Sequence, residues 1–164
     1  ITDGQIYLNT GLFQEGFKPA IDLELSVSRI GSKVQCPAIR SLSRGLRYEY
    51  VQYRSLLRLT RLRTKLSPEA TQQLQRGRAL YRLLIQDNNS PLSLAEEIVL
   101  FYAFEGKILE AISVEEVNRF KQGFFNYLLK HNPGLIGQIN QAQDLTEQIK
   151  SQLDSAIHEF FRQK

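Results

Sequence analysis

Two periodicities divide this chain. Ala20-Ile21-Asp22-Leu23-Glu24-Leu25-Ser26-Val27 alternates apolar and polar positions with period two, which predicts a half-buried strand. Ile6-Tyr7-Leu8 is a shorter run of the same kind, and Gly11, Gly16 and Pro19 punctuate loops between the two. Two short strands bury little alone, so they are expected to belong to a larger sheet. From Cys36 onward the period becomes helical. Pro37 suits a first turn, and Ile39, Leu42, Leu46, Tyr50, Tyr53 and Leu57 follow at steps of three or four as one apolar stripe. Ser67-Pro68 opens a second helix with Ala70, Leu74, Tyr81 and Leu84 inward, ended by Asn88-Asn89-Ser90-Pro91.

Local capping chemistry sets the later boundaries. Ser93 with Glu96, and Ser113 with Glu116, read as capping boxes, in which each end satisfies an orphan N–H of the other. The first leads Leu94, Ile98 and Phe101 and is interrupted at Gly106. The second leads Val114, Val117, Phe120, Phe124 and Leu128. Asn132-Pro133 starts a short helix with Leu135, Ile136 and Ile139. Asp144, with Glu147 three residues on, starts the last, carrying Leu145, Ile149, Leu153, Ile157 and Phe160. The fold class that follows is mainly α: about six helices in an orthogonal bundle over residues 35–164, preceded by a short β remnant in residues 1–34. The nine Phe and seven Tyr fall on inward stripes and read as packing.

Composition changes this picture little. At 164 residues, 42% hydrophobic and 23% charged, the chain is an ordinary globular domain, or one domain and a piece of another. No apolar run approaches the ~20 residues that cross a bilayer. The lone Cys36 excludes an internal disulfide framework, and Cys36, His131 and His158 are too scattered to suggest a metal site. The absence of methionine, and an opening Ile1-Thr2-Asp3-Gly4-Gln5 that is turn chemistry without a strand ahead of it, lead us to expect a processed fragment, a split subunit or a trimmed chain.

Charge is asymmetric. Residues 1–82 carry 14 Lys/Arg against 6 Asp/Glu, and residues 83–164 carry 7 against 11. Within residues 40–65, Arg40, Arg44, Arg47, Arg54, Arg58, Arg61, Arg63 and Lys65 face one acid, Glu49. Such a run reads as a solvated face, a contact with an acidic partner, or a nucleic-acid surface. A basic helical RNA- or DNA-binding module is therefore the alternative function, though the aromatics lie on buried stripes and no nucleic-acid motif is present. Arg29 stands apart, at the end of the predicted strand and just before Gly31. A guanidinium there pairs either with a structural carboxylate or with an anionic ligand.

Ile1-Thr2-Asp3-Gly4-Gln5-Ile6-Tyr7-Leu8, Gly16-Phe17-Lys18-Pro19-Ala20-Ile21 and Ser26-Val27-Ser28-Arg29-Ile30-Gly31-Ser32 resemble, in order and spacing, the alpha subunits of F-type ATP synthases. Tyr48-Glu49-Tyr50-Val51-Gln52-Tyr53-Arg54 is similar to that family's L-E-L-A-Q-Y-R, and Gln75-Arg76-Gly77, Leu83-Leu84-Ile85-Gln86 and Ser90-Pro91-Leu92 continue the match. The resemblance implies that residues 1–34 are the C-terminal edge of a RecA-like α/β nucleotide-binding domain. It implies that Arg29 is the arginine finger delivered in trans to the catalytic site of the neighbouring beta subunit. Thr2, Asp3, Gly4 and Ser28 would shape that interface, with Gly4 either permitting close backbone approach or serving as an ordinary turn glycine.

Lys18, Pro19, Gln86 and Asn88 match the adenine pocket of the family's non-catalytic nucleotide site. Lys18 stands where the family has Arg, and Asn88 where it has Gln. The implied cofactor is ATP or ADP with Mg, whose ligands lie outside this chain. The Walker A pattern G-x-x-x-x-G-K-[ST] is absent, so this chain alone is not expected to hydrolyse ATP. The implied partners are beta subunits, the gamma subunit of the central stalk, the upstream part of alpha, and accessory subunits at the basic loop, with no nucleic acid. The implied activity is that of the complex, ATP synthesis coupled to proton transport. The expected location is the matrix side of the mitochondrial inner membrane, peripheral through the complex, with the chloroplast thylakoid as alternative.

Overall fold

In the computed structural model residues 2–61, 66–110 and 112–163 are described. The chain order is β1 (Gly4–Gln5), α1 (Thr10–Gln14), β2 (Val27–Ser28), α2 (Gly31–Val34), α3 (Pro37–Ser43), α4 (Leu46–Arg61), α5 (Pro68–Leu84), α6 (Leu94–Glu105), a 3₁₀ turn (Ile108–Glu110), α7 (Val114–His131), α8 (Pro133–Ala142) and α9 (Glu147–Arg162). The architecture is a helical bundle with a two-stranded sheet at its N-terminal end. Among the described residues no helix is long and apolar enough to cross a membrane.

The caps lie where their chemistry places them. Ser93 and Ser113 each accept the backbone N–H of the glutamate three residues on, and Glu96 and Glu116 return the bond to the serine N–H. Ser67 caps α5 by accepting from the Ala70 N–H. The stripes are buried as expected, but α6 exceeds its stripe. Ala95, Ile98, Val99, Leu100, Ala103 and Phe104 are all buried, covering about two thirds of the helix circumference. A helix with so broad an apolar face is a central one, and α6 packs against α3, α5, α7 and α8.

Five expectations are corrected. Of the strand expected over residues 20–27, only Val27 enters β2 and Ile21 makes an isolated bridge. The Asp22 carboxylate accepts the N–H groups of Glu24 (3.0 Å) and Leu25 (3.1 Å), so the chain turns over Leu23–Leu25. The alternation does not carry through to burial, since Ile21 and Leu23 are half-buried while Leu25 and Val27 are exposed. The expected β run Ile6-Tyr7-Leu8 is reduced to one isolated bridge, Leu8 with Ile21, while β1 forms just before it and pairs antiparallel with β2, Gly4 opposite Ser28 and Gln5 opposite Val27. The helix expected from Pro37 to Leu57 is broken at Arg44–Gly45 into α3 and α4, which bury the stripe from Ile39 to Tyr53 and leave Leu57 half-buried. The last helix starts at Glu147, not Asp144, because Thr146 supplies the cap to the Ile149 N–H, while Asp144 accepts from its immediate neighbour Leu145. Gly11, read as loop, lies within α1, which Asn9 caps.

The N-terminal segment is joined to the bundle by aromatic packing. Phe17 is buried with its ring centroid 5.5 Å from Tyr50 and 5.1 Å from Tyr81, and Leu12 joins the same core. Burying a side chain of that size contributes about 1.5–3 kcal/mol. At the α4–α5 crossing Tyr53 lies on Gly77. A Cβ on Gly77 would stand 2.4 Å from the Tyr53 Cβ and ring. Gly77→Ala gains about 1 kcal/mol of helix propensity, but the overlap forces the helices apart at a cost of about 1–3 kcal/mol. We expect a net loss of stability, read as a lower urea midpoint at unchanged slope.

Candidate functional site

The candidate site is built on the β1–β2 ribbon. The Arg29 N–H donates to the Asp3 carbonyl at 2.9 Å, extending the ladder by one residue. Gly4 is required by close approach, since a Cβ there would sit 2.4 Å from the Val27 carbonyl oxygen and 3.0 Å from the Ser28 Cα. Ser28 Oγ accepts the Gly31 N–H at 2.9 Å and so closes the turn around Arg29. The result is a braced backbone carrying an exposed side chain. Thr2, Asp3, Gly4, Ser28 and Arg29 are all exposed, and among the described residues Arg29 has no ion-pair partner.

A second group forms where the chain returns after α5. The Gln86 N–H donates to the Lys18 carbonyl at 2.7 Å, and the Gln86 side-chain amide donates to the Ser90 carbonyl at 3.1 Å. The Lys18–Pro19 peptide is cis. The Lys18 ammonium stands 4.9 Å from the centroid of the Phe13 ring. The structure thus brings Lys18, Pro19 and Gln86 together, while Asn88 lies two residues on in an exposed turn.

Four arginines of the basic run of residues 40–65 make contacts within the chain. Arg40 Nη2 donates to the carbonyls of Lys33 (3.1 Å) and Gln35 (3.2 Å), and Arg47 Nη2 to that of Glu24 (3.0 Å). Arg54 pairs with the Glu15 carboxylate, and Arg58 lies 3.8 Å from that of Glu24. Arg40, Arg47 and Arg58 remain solvent-exposed while making these contacts, and Arg54 is half-buried. Arg63, Lys65 and the Arg61 side chain lie outside the described residues.

Sequence reasoning missed the strongest polar cluster. Arg76 on α5 donates from Nε to Glu49 of α4 at 2.6 Å and from Nη2 to the other Glu49 oxygen at 2.9 Å. Its Nη1 pairs with Glu110 of the 3₁₀ turn, Glu105 lies 3.6 Å away, and the guanidinium sits 4.2 Å from the Phe104 ring centroid. Burial opposes the charge, but hydrogen bonds to Glu49 and Glu110 outweigh it and leave Arg76 more basic than usual. Asp22 was also missed. The Asn9 side-chain amide, 2.9 Å away, holds its pKa below the ordinary 3.8 against a smaller effect of burial, helped by the Leu25 and Glu24 N–H groups.

The family profile described as ATP synthase alpha/beta chain, C terminal domain, matches residues 35–160. Over 160 residues, 98% of this chain, it is 39% identical to proteins named ATP synthase subunit alpha from Acidithiobacillus ferridurans and from Hydrogenovibrio crunogenus. It is 34% identical, over the same share, to the protein of that name from Petrotoga mobilis. The chain spans about a third of these relatives, 31%, 31% and 32% of their lengths. All three relatives are bacterial. That overturns the expectation of a mitochondrial inner-membrane or thylakoid location.

Two outcomes follow. Arg76→Met strands three carboxylates around an apolar side chain. With the network partly solvated, the expected loss is about 2 kcal/mol, below the 3–5 kcal/mol of a fully buried pair, measured by urea unfolding. For Asp22 the folded pKa is depressed, so its contribution is present above the unfolded value near 3.8 and lost as pH falls through the folded one. Asp22→Asn keeps an acceptor for the turn but cannot titrate. The stability gap between wild type and variant should hold above pH 3.8 and narrow as pH falls below it toward the folded pKa, read by urea unfolding at a series of pH values.

Proposed function

The chain belongs to the ATP synthase alpha/beta family, whose C-terminal domain it carries, and from that premise we propose that it serves as the C-terminal part of a non-catalytic alpha subunit. Residues 1–34 form the edge of the nucleotide-binding domain and residues 35–164 the helical domain around the central-stalk gamma subunit. The complex couples ATP synthesis to proton transport, and this chain reaches the membrane only through it.

Arg29 acts in trans on the nucleotide site of the neighbouring beta subunit. The observation that carries this reading is an exposed guanidinium, free of ion pairs among the described residues, on a backbone fixed by the Asp3 carbonyl and the Ser28–Gly31 bond. Phosphoryl transfer spreads negative charge over the equatorial oxygens of the moving group. A planar, permanently charged fork stabilises that charge, and a fixed backbone removes the reorganisation that would otherwise offset the gain. Thr2, Asp3, Gly4 and Ser28 form the rim that delivers it.

Lys18, Pro19, Gln86 and Asn88 contribute the adenine side of the non-catalytic site. The Gln86–Lys18 backbone bond supports this, since it joins the two pieces of chain that the pocket requires. The ligand is ATP or ADP with Mg, held at its phosphates and metal by residues outside this chain. A nucleic-acid role is the weaker reading, because the family match covers nearly the whole chain and Arg40, Arg47 and Arg54 already bond to the chain's own carbonyls and to Glu15.

Arg29→Lys in the intact complex keeps the charge but loses the fork. Cooperative turnover should fall by roughly 10³-fold while nucleotide binding stays within about threefold, by ATPase assay and equilibrium binding. Undiminished turnover removes Arg29 from this role.

A further inference from the structure

We infer that Arg40 and Arg47 are positioning residues for Arg29, holding the two flanks of its loop to the helical bundle; the inference rests on the trans-acting role proposed for Arg29. The ladder bond to Asp3 and the Ser28–Gly31 bond fix the middle of the loop, but its flanks have little apolar packing to hold them. β2 is two residues long, α2 is a single turn without a side-chain cap, and Val27, Ile30 and Val34 are exposed. With so little apolar burial, the segment lies at the easily opened end of the structure unless polar contacts restrain it.

Those contacts come from the two helices that follow. On the N-terminal flank Arg47, in the first turn of α4, donates to the Glu24 carbonyl at 3.0 Å. On the C-terminal flank Arg40, from α3, donates to the carbonyls of Lys33 and Gln35 at 3.1 and 3.2 Å. Both guanidiniums line one open cleft of about 760 Å³ with Ser26, Val27 and Ser28. Charged donors make stronger hydrogen bonds than neutral ones and stay charged across the working pH range. Their own helices are fixed in the core through Ala38, Ile39, Leu42 and Leu46. Arg29 is thereby referred to the bundle from both sides, five residues before it and four to six after. The β1–β2 ribbon fixes its middle.

The placement matters because a displacement of about 1 Å at a reacting group can cost up to 10²-fold in rate. The test is made on the intact complex carrying Arg40→Met and Arg47→Met together. We expect kcat for ATP hydrolysis to fall about tenfold with KM for ATP within about twofold, the signature of an interaction used only in the transition state. Amide exchange in peptides covering residues 24–35 should accelerate, while that of α5 to α9 stays unchanged. The Arg40→Lys and Arg47→Lys pair retains a charged donor at each place and should restore part of both effects.

A raised KM at unchanged kcat, or unchanged exchange over residues 24–35, overturns the inference. Should the methionine pair fail to assemble, Arg47→Lys alone must shift exchange in the same direction, and no shift counts against it. Arg29→Lys separates the two levels. If it depresses turnover while the Arg40 and Arg47 variants are silent, only the positioning role falls. If it leaves turnover intact, the proposed role of Arg29 falls and this inference with it.

Discussion

The contact between α4 and α5 is the constraint on which the rest of this structure depends. Tyr53 lies against bare backbone at Gly77, and one residue earlier Arg76 reaches Glu49 across the same crossing and Glu110 beyond it. The steric and ionic parts set different things. Close approach fixes the separation of the helices, which dispersion alone would leave soft. The Arg76 fork fixes their rotation, because a bidentate bond has a direction as well as a distance. The ring of Phe104 beneath the guanidinium extends this definition to the end of α6.

On this frame the first thirty residues are hung rather than independently folded. Phe17 wedges between Tyr50 and Tyr81, the Tyr81 hydroxyl donates to the Glu15 carbonyl at 3.2 Å, and Arg54 pairs with the Glu15 side chain. Apolar contact supplies most of the energy and the arginines supply register. The same division holds around the candidate site, where ladder bonds set the backbone of Arg29 and guanidiniums from α3 and α4 hold its neighbours.

Much of the helical half was legible because its signals are local. Both capping boxes span three residues, and the stripes repeat within a turn. Local reasoning failed where the deciding partner is remote or competing. Asp22 sits in a run that alternates perfectly, yet its carboxylate prefers the N–H groups two and three residues on, an outcome period-two counting cannot see. α1 and α2 are too short to show a period, and Gly45 ends one helix and admits the next inside a continuous stripe. The Arg76 cluster draws on residues 49, 105 and 110, a grouping no spacing rule proposes. At the candidate site, the meeting of Lys18 with Gln86 was suggested by family resemblance alone, and the internal use of the basic run was suggested by nothing in the sequence.

Gly77 and Tyr53 also form a pair in the evolutionary sense. The space that one side chain fills is the space the other gives up. A descendant acquiring alanine or serine at 77 would select for a slimmer residue at 53, and one keeping an aromatic at 53 has its neighbour's identity dictated. Substitution at these two positions should therefore be correlated across lineages, while the exposed faces of the same helices drift freely.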